Sequence, residues 1–248
     1  MKITGQIEQI FAHAVALDQS GGLKNTIYVK NKEIYIVNYD HTVILRFKLR
    51  DSENPFSTSL SFKANDYDSN EFFEEDGKIV FISNIEGYER KKVCGLAEHS
   101  PEEIKKIIRL YLRNSENREK LIIHKSILSL LDNDLSHIEF SGKKGESLKM
   151  IQRNIYSGGI IEVKEKNQGM FFNTLKNDFG PVGIKTKDFA ALFTFQDSLI
   201  FEFPNTSSED YMIIKSVDQK KRDMTGIIAC CLYDELITLK KARNGREK

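Results

Sequence analysis

Apolar positions recur at helical spacing near the start of the chain. Ile7, Ile10, Phe11, Ala14 and Leu17 share one face, which predicts an amphipathic helix closed by Gly21-Gly22. Strand-like runs follow at Thr26 to Lys30, Glu33 to Asn38 and Thr42 to Arg50, with Asn31-Lys32 as a tight turn. Asn54-Pro55 interrupts, and Ser59 to Lys63 leads into an acidic, helix-like segment. After the turn signal Asp76-Gly77, Lys78–Ser83 and Tyr88–Cys94 predict a hairpin across Glu86-Gly87.

The middle of the chain is a junction. Ser100-Pro-Glu-Glu103 is a capping box with proline at the first helical position. The helix it starts places Ile104, Ile107, Ile108, Tyr111 and Leu112 on one side, with Lys105, Lys106, Arg109 and Arg113 largely on the other. Asn114 to Glu119 is polar and turn-prone, a domain boundary by composition. Lys120 to Ile123 then reads as a strand, and Ser126 to Leu135 as a helix with Ile127, Leu130, Leu131 and Leu135 inward. Strands are predicted at His137–Ser141, Ser147–Gln152, Gly159–Lys164, Leu199–Phe203 and Tyr211–Ser216. A last apolar helix, Thr225 to Leu239, presents Ile227, Ile228, Cys231, Leu232 and Leu236, too apolar to stay solvated, and is expected to pack on its own body.

This pattern occurs twice. Leu60-Ser-Phe-Lys-Ala-Asn-Asp-Tyr67 returns as Val182-Gly-Ile-Lys-Thr-Lys-Asp-Phe189. Aromatic residues trail each copy (Phe72 and Phe73; Phe193 and Phe195), then a β-rich run and a strand opened by Tyr88 or Tyr211. Glu33 to Val37 corresponds to Glu146 to Ile151. Duplication of one α+β unit predicts tandem domains over residues 1–96 and 120–217, each with helices on one face of an antiparallel sheet. A helix-bearing linker over 97–119 and a helix with a basic tail over 218–248 complete the expected organisation.

Composition refines this picture without naming a chemistry. A 248-residue chain that is 40% hydrophobic, with 16 Phe, can fill two cores. No run reaches the roughly 18 apolar residues of a membrane span, and the chain opens directly in a strand-like Met1-Lys-Ile-Thr, so an intracellular protein without a membrane partner is expected. Cys94, Cys230 and Cys231 lack metal-ligand spacing and read as reduced thiols. Net charge is only +1, so distribution matters more than balance. Residues 64–77 hold six acids and no Lys or Arg, whereas 105–125 and 240–248 are basic.

Signatures of catalysis are missing. GxxxxGK, GxGxxG and GxSxG do not occur. Asp66-Tyr-Asp68-Ser-Asn70 begins like a calcium loop, but Glu71 stands where glycine is required and Gly77 where glutamate is. His13, His41, His99, His124 and His137 are scattered. Asn205-Thr-Ser207 reads as a turn. Neither an enzyme, a metal nor a cofactor is expected.

Two successive units of strand, helix, strands, helix and strands, joined by a linker, resemble the DNA sliding clamps. The particular matches are Met1-Lys-Ile-Thr ahead of an amphipathic helix, Asn31 to Thr42, Val182 to Phe189 and Asp210-Tyr-Met-Ile-Ile214. The likeness covers residues 1 to about 217. It is nearest to phage processivity factors of the T-even type, extends to proliferating cell nuclear antigen, and includes the clamp-like DNA-binding protein of T-odd phages.

The resemblance implies a ring of six similar units, hence a homotrimer of two-unit chains, with helices lining the hole and sheets facing outward. It implies double-stranded DNA as partner, held by sequence-independent phosphate contacts from inner cations. The first helix, Gln6 to Asp18, has neither Lys nor Arg, so the candidate DNA-binding residues are Lys63, Lys125, Lys185 and Lys187. A partner groove beside the connector would involve Leu96, Tyr111, Leu199, Phe201 and Tyr211, about half of them accessible because alternate strand residues face the core. The implied function is polymerase processivity in DNA replication, with a DNA polymerase and a clamp loader as partners, in the cytoplasm of an infected host if the protein is viral. The alternative is a viral clamp-fold transcription factor that recruits RNA polymerase through its basic linker and tail without encircling DNA.

Overall fold

The computed structural model describes residues 5–17, 25–50, 56–63, 71–75, 78–85, 88–94, 100–113, 118–132, 135–153, 160–163, 175–194, 196–204, 211–218 and 223–230. The chain divides into two compact units, Met1–Leu112 with Asp218–Gly226, and Arg113–Val217 with Ile227–Lys248. The connector helix thus belongs almost wholly to the first unit.

The first unit opens with α1 (Gly5–Ala16), which packs against β1 (Thr26–Asn31) and β2 (Glu33–Val37). Its apolar stripe, Ile7, Ile10, Phe11 and Ala14, is fully buried, as the spacing predicts. The end of α1 is secured by the buried Asn25, whose Nδ2 donates to the carbonyls of Ala14 (2.6 Å) and Leu17 (3.3 Å). Its Oδ1 accepts from the Tyr39 N–H at 2.9 Å, so one amide satisfies backbone groups of two elements. With β3 (Val43–Lys48) and β4 (Phe56–Lys63), the strands form an antiparallel sheet in the order β4-β1-β2-β3. Asn31, in the β1–β2 turn, has φ 51°, a left-handed conformation that asparagine tolerates.

Both faces of β1 and β2 are covered. Ile27, Val29, Ile34, Ile36, Leu45 and Phe47 alternate with Tyr28, Tyr35 and Arg46, which align in register. His13 of α1 lies 5.3 Å from Phe47, ring to ring, so the first set faces α1. The second set faces α2 (Pro101–Arg113), whose Lys105 pairs with Glu33. A second sheet, β5-β6-β7, comprises Glu71–Glu75, Lys78–Ile85 and Tyr88–Cys94. The hairpin expected across residues 86–87 is present, with Ile85 opposite Tyr88. Glu71–Glu75 is a strand where the acidity suggested helix; Phe72 and Phe73, good strand formers, stand opposite Phe81 and Val80. Residues 64–70, with the calcium-like cluster, lie outside the described residues.

The second unit repeats the first sheet. β9 (His137–Gly142), β10 (Lys149–Arg153), β11 (Ile160–Val163) and β12 (Phe179–Lys185) are ordered β11-β10-β9-β12. Read from the other edge this is β12-β9-β10-β11, the counterpart of β4-β1-β2-β3. Lys63 stands opposite Thr26 and Lys185 opposite His137, so the two repeat lysines hold the same register slot. Both pairings also carry a register shift, between Val29 and Asn31 and between Phe179 and Val182. The remaining strands of this unit, β8 (Glu119–His124), β13 (Ser198–Phe203) and β14 (Tyr211–Ser216), are ordered β14-β13-β8.

Helical structure departs from expectation in two places. The segment expected as a helix over Ser126 to Leu135 is a 3-10 helix, Lys125–Leu130, ended by an extended Leu131. The α-helical period therefore does not run on, and Leu130, expected inward, is exposed while Ile127 and Leu135 are buried. The helix expected from Thr225 is corrected as well: Asp223–Ala229 is a strand, β15, with Met224 to Ile228 buried in succession. Thr225, Gly226, Ile227 and Ile228 are poor helix formers, and a strand covered on both faces accounts for the unbroken burial. Its first part, to Gly226, belongs to the first unit and the rest to the second. Cys231, Leu232, Leu236 and the basic tail lie outside the described residues.

Candidate nucleic-acid interface and partner surfaces

Three of the four candidate DNA-binding lysines lie in the second unit. Lys125 starts the 3-10 helix, is exposed, and donates its backbone N–H to the Asp197 carbonyl at 2.7 Å. His124 caps that helix, its Nδ1 accepting from the Ser126 N–H at 3.1 Å. Lys187 is exposed in the first turn of α3 (Thr186–Leu192). Lys185 is the half-buried residue at which β12 becomes α3. Thr186 fixes that corner: its Oγ1 donates to the Leu135 carbonyl at 2.5 Å and its N–H to that of Ser136 at 2.9 Å. Lys63 ends β4 in the first unit.

His137 sits opposite Lys185. Burial foremost, and the Lys185 cation second, push its imidazole down to about 4. It is therefore neutral at physiological pH, and the positive charge of this row belongs to lysine. The exposed Lys125 and Lys187, each at the start of a helical segment, can contact phosphate oxygens without reading bases.

The candidate partner residues are less alike. Leu199 and Phe201 are fully buried on the inward side of β13. Phe201 lies 5.6 Å from Phe189 and 6.2 Å from Phe203 between ring centroids, inside a cluster that also holds Phe140, Phe179 and Phe193. Their side chains build the core, and the residues offered outward are the half-exposed Ser198 and Ile200 between and beside them. Tyr211 is half-buried, with the Arg118 guanidinium 4.1 Å above its ring and Arg118 Nη1 donating to its carbonyl at 2.8 Å. Tyr111 is exposed on α2, in the other unit. Leu96 lies outside the described residues.

Two groups of residues escaped the sequence reading. Arg118, Glu119 and Lys120 fall in or beside the stretch taken as boundary. Glu119 is buried, and its carboxylate accepts from the N–H of Asn177 at 2.9 Å and of Lys176 at 3.1 Å. Lys120 reaches the buried Glu202 at 3.6 Å, while Lys215 donates to the same Oε1 at 2.7 Å. These partners are remote in sequence, so no local signal announces them. The second group is the outward side of α2. Its start is the expected capping box, the Ser100 N–H donating to Glu103 Oε2 at 2.8 Å and the Glu103 N–H to Ser100 Oγ at 3.4 Å. Pro101, Ile104 and Ile108 are buried, Lys30 pairs with Glu102, and Lys105 with Glu33. Burial alone would raise the Glu33 carboxyl, but hydrogen bonds from Lys105 and Tyr35 and the nearby cations hold it below the usual range. Tyr35 is pushed well up, by burial first and by Glu33 second. Lys105, placed by the sequence largely on the side away from Ile104 and Ile108, turns inward to Glu33. Ile107 and Tyr111, which share the apolar side with the buried Ile104 and Ile108, are 38% and 37% exposed, and Leu110 is 62% exposed.

Among the described residues no group of three or more His, Cys, Asp or Glu converges on a metal position. No helix among them is long and apolar enough to cross a membrane.

Comparison with known structures defines the class. No family model and no curated protein sequence matches the chain. Solved structures do. The PCNA2-PCNA3 complex of Sulfolobus tokodaii is similar at 12% identity and TM-score 0.56, over 93% of this chain and 97% of that one. The DNA polymerase III β chain of Streptococcus pneumoniae gives 11% identity and TM-score 0.62, over 94% of this chain. The DNA polymerase sliding clamp of Bacillus subtilis gives 10% and 0.60, over 93%. The chain spans 64% and 63% of the length of those two bacterial proteins. It has the sliding-clamp fold, a mixture of helices and antiparallel sheets.

Proposed function

We propose that this chain is a sliding-clamp-like processivity factor, a scaffold that tethers a DNA polymerase to double-stranded DNA without catalysing a reaction. The observation that carries the reading is the clamp fold over nearly the whole chain, built from two units with the same sheet order. Copies close into a ring, a homotrimer if six units complete it, as in the clamps that the sequence resembles. DNA passes through the ring and is held by topology and by phosphate contacts from Lys125 and Lys187, aided by Lys63 and Lys185. A clamp loader opens the ring. The sequence likeness to phage clamps points to a viral replisome.

The test combines mass and topology. A native particle of three chains, retained on nicked circular DNA and lost when that DNA is linearised, supports the reading. A monomer that leaves circular and linear DNA equally fast overturns it. Replacing Lys63, Lys125, Lys185 and Lys187 with Glu should abolish retention while the circular dichroism spectrum stays unchanged. Wild-type retention should fall steeply with salt and show no sequence preference.

A further inference from the structure

The outward side of α2 divides into two stripes. Lys106, Arg109 and Arg113 form one and Ile107, Leu110 and Tyr111 the other, each at three- or four-residue spacing. All six are exposed. Leu110 lies two residues past the buried Ile108, about 200° around the helix at about 100° per residue, so it faces away from the sheet. The two acids of α2 are both in its first turn and already committed, Glu102 to Lys30 and Glu103 to Ser100. From Ile104 onward the helix carries no negative charge.

We propose that this side of α2 is a docking surface for an acidic partner segment: a short peptide, helical or extended, that carries two or three large apolar side chains flanked by Asp or Glu. The proposal deepens the reading of the chain as a recruiting scaffold and rests on it, but it does not require the ring to close. Charge complementarity selects the occupant. Carboxylates pair with Lys106, Arg109 and Arg113, while apolar side chains cover Ile107 and Leu110 and lie along Tyr111; arginine and tyrosine are both enriched at protein interfaces. A nucleic-acid backbone would satisfy the cations but leave Leu110, at 62% exposure, facing phosphate and water. The ion pairs Lys105–Glu33 and Lys30–Glu102 anchor α2 by its other side, so a partner meets a preformed helix.

A random peptide library displayed on phage, selected on the full chain, tests this directly. The recovered consensus should combine Leu, Ile or Phe with an excess of Asp and Glu. A synthetic peptide of that consensus, followed by fluorescence anisotropy, should bind the Leu110→Asp chain about tenfold more weakly, and the Arg109→Glu/Arg113→Glu chain likewise. A twin peptide with Lys in place of the acids should prefer the charge-reversed chain. Circular dichroism of each variant checks the fold, and Leu110, being largely exposed, can change without emptying a core. A consensus lacking acids, undiminished binding to Leu110→Asp, or displacement of the peptide by a short DNA duplex overturns the proposal, the last by making α2 a nucleic-acid surface. A changed native mass in Leu110→Asp also overturns it, because the face is then an interface between copies. Peptide binding with no retention on circular DNA would leave this surface standing while the clamp reading falls; the reverse result separates them the other way.

Discussion

The two units share a sheet order and differ in what fills it. The described core of the first is mainly aliphatic: Ile7, Ile10, Val29, Ile34, Ile36 and Leu45 around Phe11 and Phe47. The second is built on six phenylalanines in mutual contact, from Phe140 and Phe189 to Phe201 and Phe203. Both end a helical segment with a buried side-chain amide. Asn25 serves α1, and Gln152 serves the 3-10 helix by accepting from the Asp132 N–H at 2.8 Å and donating to its carbonyl at 3.0 Å. Pleat alternation, strand order and satisfied helix ends therefore hold across the duplication, while side-chain identity is free to drift as long as each inward position stays apolar.

The comparison breaks most sharply in the aromatic cluster. Phe201→Ala should destabilise the second unit by about 3–5 kcal/mol, because the ring is fully buried and packed against Phe189 and other rings. Hydrogen exchange resolved by peptide should show the loss in residues 119–216 and little change in 25–48. Uniform weakening of both halves would mean that the units do not respond separately.

Acid should separate them next. His137 titrates at about 4 when folded, below its ordinary value of 6.5, so the unfolded chain takes up the proton first. Its contribution is complete above pH 6.5 and is lost as pH falls towards 4, on the order of 3 kcal/mol over that window. The corresponding slot in the first unit is Thr26, which does not titrate. Exchange protection in the second unit should therefore decline between pH 6.5 and 4.5, and His137→Gln should flatten that decline without altering the behaviour of the first unit, whose own buried His13 is untouched. Glu33, also lowered, weakens the first unit only below its ordinary 4.5, as its carboxylate protonates. A decline of the second unit that His137→Gln leaves unchanged would refute the assignment.

The smallest effect concerns a feature of the first unit alone. Glu33→Gln should loosen α2 by about 1 kcal/mol, since the Lys105 pair is partly solvent-screened. Faster exchange of the α2 amides, with β9 to β12 unaffected, is the expected signature.

Much of this comparison was legible in the amino-acid order. Lys63 and Lys185 were aligned by sequence alone and occupy one register slot; the capping box at Ser100 and the hairpin at Tyr88 formed as the residues require. What could not be read was set by distant partners. β15 follows from burial on both faces, in an apolar run whose periodicity alone does not separate a buried strand from a buried helix. Leu199 and Phe201 were placed on a partner surface by the resemblance to clamps, yet which face of their strand points inward depends on Phe189, supplied by another element. The inward turn of Lys105 is decided by Glu33, seventy-two positions upstream.

The strand that opens the second unit has a bearing on how the protein is made. β8 pairs with β13, Glu119 opposite Phe203, and its neighbour Arg118 holds Tyr211, ninety-three residues on. During synthesis at about 5–20 residues per second, β8 waits on the order of 4–16 seconds after emerging before its hydrogen-bonding edge can be covered. A nascent chain with that edge open is a template for pairing with another ribosome's product. Lys120 and His124 punctuate the waiting strand, and a charge at the half-exposed Ile122, between the buried Leu121 and Ile123, is the natural change for a variant that folds more cleanly from a crowded polysome.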